Sequence, residues 1–317
     1  DQEPFLYMVE SIATGRDDRV LESAVLQLYH FSMSFPWPQE WLDQCRREYE
    51  AENVENFLDM PWIAELVKVA KVQVGDLLQM LRRALELCRE EHGPYMYEEA
   101  LQSDLDMLEQ LRTPETYREL GNAIRSMGKW KTLSSKRDEQ VDPKSRDTVK
   151  EIREEVKRNF TKIRDTYFYA PPEVLYEHMK RCRPMMEQLL DLTKEFADCY
   201  TQEKRKRNLC DFNDLEHLAL QILMERKEGT CTRTQAARDL ADYYQYIMID
   251  EYQDSNLVQE MILTGISGEP EGIHNLFMVG DVKQSIYRFR LARPELFMEK
   301  YETYDLQEGS NRRIDLH

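Results

Sequence analysis

Tyr246-Ile247-Met248-Ile249 runs directly into Asp250-Glu251-Tyr252-Gln253-Asp254. In the same way, Leu276-Phe277-Met278-Val279 runs into Gly280-Asp281-Val282-Lys283-Gln284-Ser285-Ile286-Tyr287-Arg288-Phe289-Arg290. Each stretch starts as a short apolar run of strand length and ends in acidic, amide and aromatic groups. A helical pattern near Ser255–Ile266 and a loop over Ser267–Asn275 lie between them. Strand, helix and strand joined at that distance predict a parallel crossover unit. Runs of four apolar residues predict strands covered on both faces. The carboxyl ends of such strands are where open α/β sheets build their ligand crevice.

Upstream the pattern is helical. Val20-Leu21-Ala24-Val25-Leu28 and Leu77-Leu78-Leu81-Leu85-Cys88 recur at three- and four-residue intervals, one face of a helix. Phe35-Pro36-Trp37-Pro38 breaks the pattern, since two prolines cannot sit in a helix interior, and His92-Gly93-Pro94 is a second stop. Trp37, Trp41 and Trp62 read as packing rings rather than base-stacking platforms. Residues 129–148 are polar, basic and without apolar period, which predicts an exposed loop or mobile segment. A long helix is expected from Pro184 to the basic tetrad Lys204-Arg205-Lys206-Arg207, with Met185, Leu189, Leu192, Phe196 and Tyr200 on its buried stripe. The character changes at Leu209-Cys210-Asp211-Phe212-Asn213-Asp214-Leu215, so a domain boundary is placed near residue 205.

The bulk numbers fit this picture. The 317 residues can hold two domains, and 41% hydrophobic with 32% charged residues suits a mostly helical protein. No run approaches the roughly 18 apolar residues of a membrane span. The start Asp1-Gln2-Glu3-Pro4 has neither a signal peptide's features nor an initiating Met, and reads as a piece of a longer chain. Six cysteines without C-x-x-C spacing suit reduced thiols of a cytoplasmic protein. A net charge of −17 argues against a nucleic-acid partner, yet residues 129–164 carry 12 basic against 7 acidic residues. A phosphate backbone needs local positive surface rather than a positive total.

Hydrolysis of a nucleoside triphosphate requires a metal on the phosphates, a group to position water and a sensor of the γ-phosphate. Asp250 suits Mg²⁺ held through its water shell, Glu251 suits water activation, and Gln284 offers an uncharged amide to a γ-phosphate oxygen. Tyr287, Phe289 and Arg290 supply stacking rings and a planar cation for unpaired bases. Either motif alone is weak, because acidic residues often end strands and a lone Gln or Phe is more often surface amide or core ring. Both in order across one helix are specific.

These two segments resemble motifs II and III of the superfamily 1A helicases of the UvrD/Rep/PcrA group. Asp211-Phe212-Asn213-Asp214-Leu215-Glu216 resembles that group's D-F-x-D-L segment. The detailed spelling, through His217-Leu218-Ala219-Leu220 and on to Leu291-Ala292, is most similar to the AddA family of bacterial helicase/nuclease proteins. The resemblance implies a mostly α fold with an α/β part: a helical 1B-type subdomain over 1–205, and an incomplete RecA-like parallel-sheet lobe over 206–317. It implies ATP and Mg²⁺ as cofactors, with Asp250 on the metal, Glu251 on the water and Gln284 on the γ-phosphate. Gln253 and Asp254 would couple the site, and Tyr287, Phe289 and Arg290 would line a single-stranded DNA channel. The implied partners are single-stranded DNA, a duplex junction and an AddB-type protein, with no membrane. Phe289 stands where many of the group have Trp, and Leu291-Ala292 where they have Gly-Ala.

No G-x-x-x-x-G-K-[S/T] occurs in the chain, so the phosphate cradle is missing. The expectation is a fragment of an ATP-dependent DNA helicase and exonuclease of repair and recombination, inactive by itself. The competing reading is a non-catalytic helical module for protein or DNA binding with relic motor motifs.

Overall fold

A computed structural model of the chain describes residues 2–12, 18–227, 229–285, 292–307, 309 and 311–315. In chain order the helices run α1 Gln2–Ile12, α2 Arg19–Ser32, α3 Pro38–Arg47, α4 Val54–Leu58, α5 Pro61–Arg89, α6 Glu98–Glu109, α7 Tyr117–Ser126, α8 Pro143–Tyr167 and α9 Pro172–Lys206. Then come α10 Phe212–Leu223, the hairpin β1 Met224–Lys227 and β2 Thr230–Arg233, α11 Gln235–Tyr243, β3 Ile247–Ile249, α12 Leu257–Ile266, β4 Leu276–Met278 and α13 Pro294–Thr303. The chain is thus mostly helical with small sheets. It forms two compact units, 48–183 and 1–47 with 184–317. No helix among the described residues is long and apolar enough to cross a membrane.

In unit 48–183 the expected stripe of α5 is the spine of the core. Leu77, Leu78, Leu81, Leu85 and Cys88 are buried against Leu101 and Leu108 of α6, Leu120 of α7 and Val149, Val156 and Phe160 of α8. Burial pushes the Cys88 thiol up to about 11, so it behaves as a small apolar side chain. Helix α5 ends just before the predicted stop, where His92 takes a left-handed φ of 64°. A capping box of Thr116 and Glu119 starts α7.

Segment 127–142 is irregular, as its composition predicts, but it is anchored. The Arg153 side chain of α8, itself buried, donates through Nε to Asp104 Oδ2 of α6 at 2.6 Å and through Nη2 to the Lys131 carbonyl. The Trp130 ring meets Phe160 edge-on, and Tyr95 donates to Asp138. The reading of 129–148 as one mobile stretch is corrected at its end too, because α8 begins at Pro143. Asp142 caps it by accepting from the Lys144 and Ser145 amides, and proline suits the first helical position.

Helix α9 corrects a second expectation. It starts at Pro172 and carries Pro184 inside. Tyr176 is buried in the first turns with Leu175 and Met179 packed beside it, and that burial outweighs one missing backbone hydrogen bond.

The other unit divides elsewhere than the change of sequence character near 205. Met8 of α1 and Leu21 and Val25 of α2 bury themselves on Leu189, with Met185, Leu192 and Phe196 alongside, so the chain's start belongs with the second half of α9. Tyr29 meets Phe196 and Tyr200 edge-on. Phe35 stacks on Trp41 with centroids 4.8 Å apart, and Arg226 lies over Trp37, so both tryptophans are packing rings.

Strands β3 and β4 pair in parallel with Ile247 opposite Leu276, Met248 opposite Phe277 and Ile249 opposite Met278. The crossover is therefore as predicted, but the burial is not. Ile247, Ile249, Leu276 and Met278 are half-buried, whereas Met248 and Phe277 are 74% and 55% exposed. Alternation puts those two residues on one face of the sheet, and among the described residues nothing covers it.

Candidate functional site at the ends of the parallel strands

Backbone hydrogen bonds carry the strand pairing past the last strand residue. The Val279 amide donates to the Ile249 carbonyl at 2.8 Å, and the Tyr252 amide donates to the Val279 carbonyl at 2.9 Å. This zipper sets Asp250-Glu251 beside Gly280-Asp281. The chain then turns sharply: Glu251 has φ 51°, a left-handed conformation that costs a non-glycine residue about 1–2 kcal/mol. Strain at such a position points to function.

Asp250 and Glu251 are exposed, and the Glu251 amide donates to Asp250 Oδ1 at 3.0 Å. Tyr252 and Gln253 point the other way and are buried, each 1% exposed. The Tyr252 hydroxyl donates to Glu260 Oε2 of α12 at 2.5 Å, and Lys300 of α13 reaches Glu260 Oε1 at 3.0 Å. Burial, then the Glu260 carboxylate, hold the Tyr252 phenol far above the usual range. The strand end is thereby clamped between two helices.

Gln253 joins the two segments. Its Nε2 donates to Glu251 Oε2 at 2.6 Å, and its Oε1 accepts from the Asp281 amide at 3.0 Å. Gly280 is required there, because a methyl group on its Cα would run into Gln253 Oε1 and the Phe297 ring. Asp281 in turn accepts from the Lys283 amide at 2.9 Å and from Gln284 Nε2 at 3.1 Å. The hydrogen bonds thus run unbroken from Glu251 through Gln253 and Asp281 to Gln284, linking the residues that sequence reasoning singled out. Asp254 lies just beyond, with Oδ1 buried and without a hydrogen-bond partner among the described residues. Tyr287, Phe289 and Arg290 lie outside the described residues.

Two parts of the site escaped sequence reasoning. Asp281 organises the Gln284 turn, and its signal is an Asp two residues before an amide it can accept from. The second part is a clamp behind the strands. Lys204, 7% exposed at the end of α9, donates to Asp211 Oδ2 at 2.8 Å and Asp214 Oδ1 at 2.7 Å, and lies over the Tyr200 ring. Asp211 and Asp214 also form the capping box of α10. Burial works against the Lys204 charge, yet the two aspartates hold its pKa well above the usual lysine range. From the next turn of α10, Glu216 accepts from Gln259 at 2.8 Å and from Asn256 at 3.2 Å, tying that segment to the crossover helix α12.

No group of three His, Cys, Asp or Glu able to hold a metal occurs among the described residues. Mg²⁺ on a nucleotide needs only one or two carboxylates, the rest of its shell being phosphate and water, so the exposed Asp250 carboxylate fits that ion.

Residues 73–305 match the model of the UvrD/REP helicase N-terminal domain, a span that includes both strand-end segments. Curated relatives are described as AddA-type ATP-dependent helicase/nuclease proteins. That of Lachnoclostridium phytofermentans is 39% identical over 99% of this chain and 23% of its own length. Those of Alkaliphilus oremlandii and Clostridium botulinum are 40% and 34% identical, over 99% and 100% of this chain and 25% and 26% of theirs. The chain spans about a quarter of the length of the curated relatives it matches. With the family model covering most of its length, the chain belongs to the UvrD/REP helicase N-terminal domain family, in its AddA-type branch.

Proposed function

We propose that this chain is part of the motor of a longer ATP-dependent DNA helicase/nuclease. In that parent, ATP hydrolysis drives translocation along single-stranded DNA, in double-strand break repair and recombination, beside an AddB-type partner in the cytoplasm. Residues 206–317 supply part of a RecA-like lobe, and the helical residues before them a 1B-type subdomain. One observation carries the reading: adjacent parallel strands end in Asp250-Glu251 and in the Gln284 turn, joined by one hydrogen-bonded chain.

Bound Mg²⁺ supplies positive charge against the triphosphate. Asp250 would hold it through water, since its Oδ1 is already engaged by the Glu251 amide. Glu251 would orient the attacking water and take its proton. Gln284, exposed and held only by Asp281, is free to exchange that bond for a γ-phosphate oxygen. Asp254 belongs to the same nucleotide-binding set, and Tyr287, Phe289 and Arg290 are assigned to the DNA strand.

Glu251→Gln in the full-length parent tests the reading. ATPase should fall by at least about 100-fold while nucleotide binding persists, and near-normal hydrolysis would refute it. The chain by itself should show no helicase-like turnover, and measurable DNA-stimulated ATPase in it would contradict the fragment reading. Binding of DNA or protein by a parent whose ATPase is dispensable would favour the module with relic motifs.

A further inference from the structure

We propose that Gln253 is a positioning residue that sets the Glu251 carboxylate according to the position of the Gly280–Gln284 turn. This deepens the reading above and rests on Glu251 being the water-activating group.

The amide of Gln253 can sit in only one orientation. A carboxylate accepts and an amide N–H donates, so Nε2 must face Glu251 and Oε1 must face the Asp281 amide. Flipping it would oppose two acceptors on one side and two donors on the other. With 1% of its surface exposed, Gln253 has no water to make up a lost bond. Its backbone is fixed as well, because the flanking Tyr252 is clamped by Glu260 and the Val279 carbonyl.

The two ends of this bridge are constrained differently. Glu251 is exposed and sits on a strained residue, so without the Nε2 donor its carboxylate is free to sample other rotamers. The Asp281 end is tied to the turn that carries Gln284, since the Asp281 carboxylate holds both the Lys283 amide and the Gln284 side chain. A shift of that turn, such as Gln284 leaving Asp281 for a phosphate oxygen, moves the Asp281 amide. The Gln253 amide follows, and with it the Glu251 carboxylate. The tight approach of Gly280 makes this a contact of backbone on side chain, with no slack to absorb the motion.

Two variants separate the halves of the bridge. Gln253→Glu keeps an acceptor for the Asp281 amide and removes the donor to Glu251. Gln253→Leu matches the volume and removes both. In the chain itself, hydrogen exchange should show the Asp281 amide protected in wild type and in Gln253→Glu and exposed in Gln253→Leu. The Gln253 side-chain NH₂ resonances should move in Glu251→Gln. In the parent, with ATP and saturating single-stranded DNA, both Gln253 variants should lower kcat about 10- to 100-fold with KM for ATP within about twofold of wild type. An unprotected Asp281 amide in wild type overturns the bridge. An unchanged kcat in both variants, with Glu251→Gln inactive, overturns the positioning role while leaving the function of Glu251 intact. A rise in KM matching the loss in kcat/KM also overturns it, because that is lost binding rather than lost positioning. Full turnover in Glu251→Gln removes the underlying reading, and the proposal with it.

Discussion

Arg153→Met makes the energetics of the helical unit measurable. The Arg153 and Asp104 side chains are 3% and 1% exposed and meet at 2.6 Å. Methionine keeps the length of the stem but removes the guanidinium, leaving the Asp104 carboxylate with only a 3.4 Å contact from the Lys131 amide. At an effective dielectric constant of about 20, two charges roughly 4 Å apart lose about 4 kcal/mol, in line with the roughly 3–5 kcal/mol for breaking a buried pair. With a urea dependence of about 2 kcal/mol per M, the midpoint of this unit should fall by about 2 M. Urea titrations followed through amide exchange in α8 would read this unit separately from the other. Adding Asp104→Leu should restore most of the loss, because an apolar pair leaves no buried charge behind. A single-variant loss below about 1 kcal/mol, or a double variant as unstable as the single, would refute the reasoning.

The remaining predictions concern pH, a hydroxyl and the core. Burial raises the Asp211 carboxyl, but the bond from Lys204 and the backbone amides of Asp214 and Asn213 outweigh it and hold its pKa below the usual aspartate value. Its contribution is therefore present above about pH 4 and is lost as pH falls through the depressed value. Asp211→Asn, which still caps α10, should lower stability near neutral pH by about 1 kcal/mol, discounted for partial solvent screening, and flatten the acid limb of unfolding. Tyr252→Phe should cost about 1–2 kcal/mol and leave phenolate absorbance near about pH 10 unchanged, because Tyr252 does not ionise there. Leu81→Ala, at a fully buried position, should cost about 2–5 kcal/mol in thermal or urea unfolding.

What could be read from the residues was mostly periodic or local. The α5 stripe, the His92-Gly93-Pro94 stop and the paired apolar runs each write their structure within one window, and each stands where expected. Asp250, Glu251 and Gln284 were legible because strand ends place chemistry, and parallel pairing brought them together. The anchoring of segment 127–142 was not legible, since its holding pair Arg153 and Asp104 are 49 residues apart and neither carries a period. Pro184 misled because a proline's preference for first turns is a local rule, which the burial of Tyr176 overrode. The exposure of Met248 and Phe277 could not be inferred either, as apolar runs report what a strand can bury and not what lies over it.

The left-handed backbone at Glu251 sets thermodynamic preference against chemistry at a single codon. Glycine at that site would relax the main chain and raise the melting temperature, yet it would delete the group to which hydrolysis is assigned. Laboratory selection for thermal robustness alone should therefore drift toward inert proteins here, and libraries built to harden this region should hold position 251 constant.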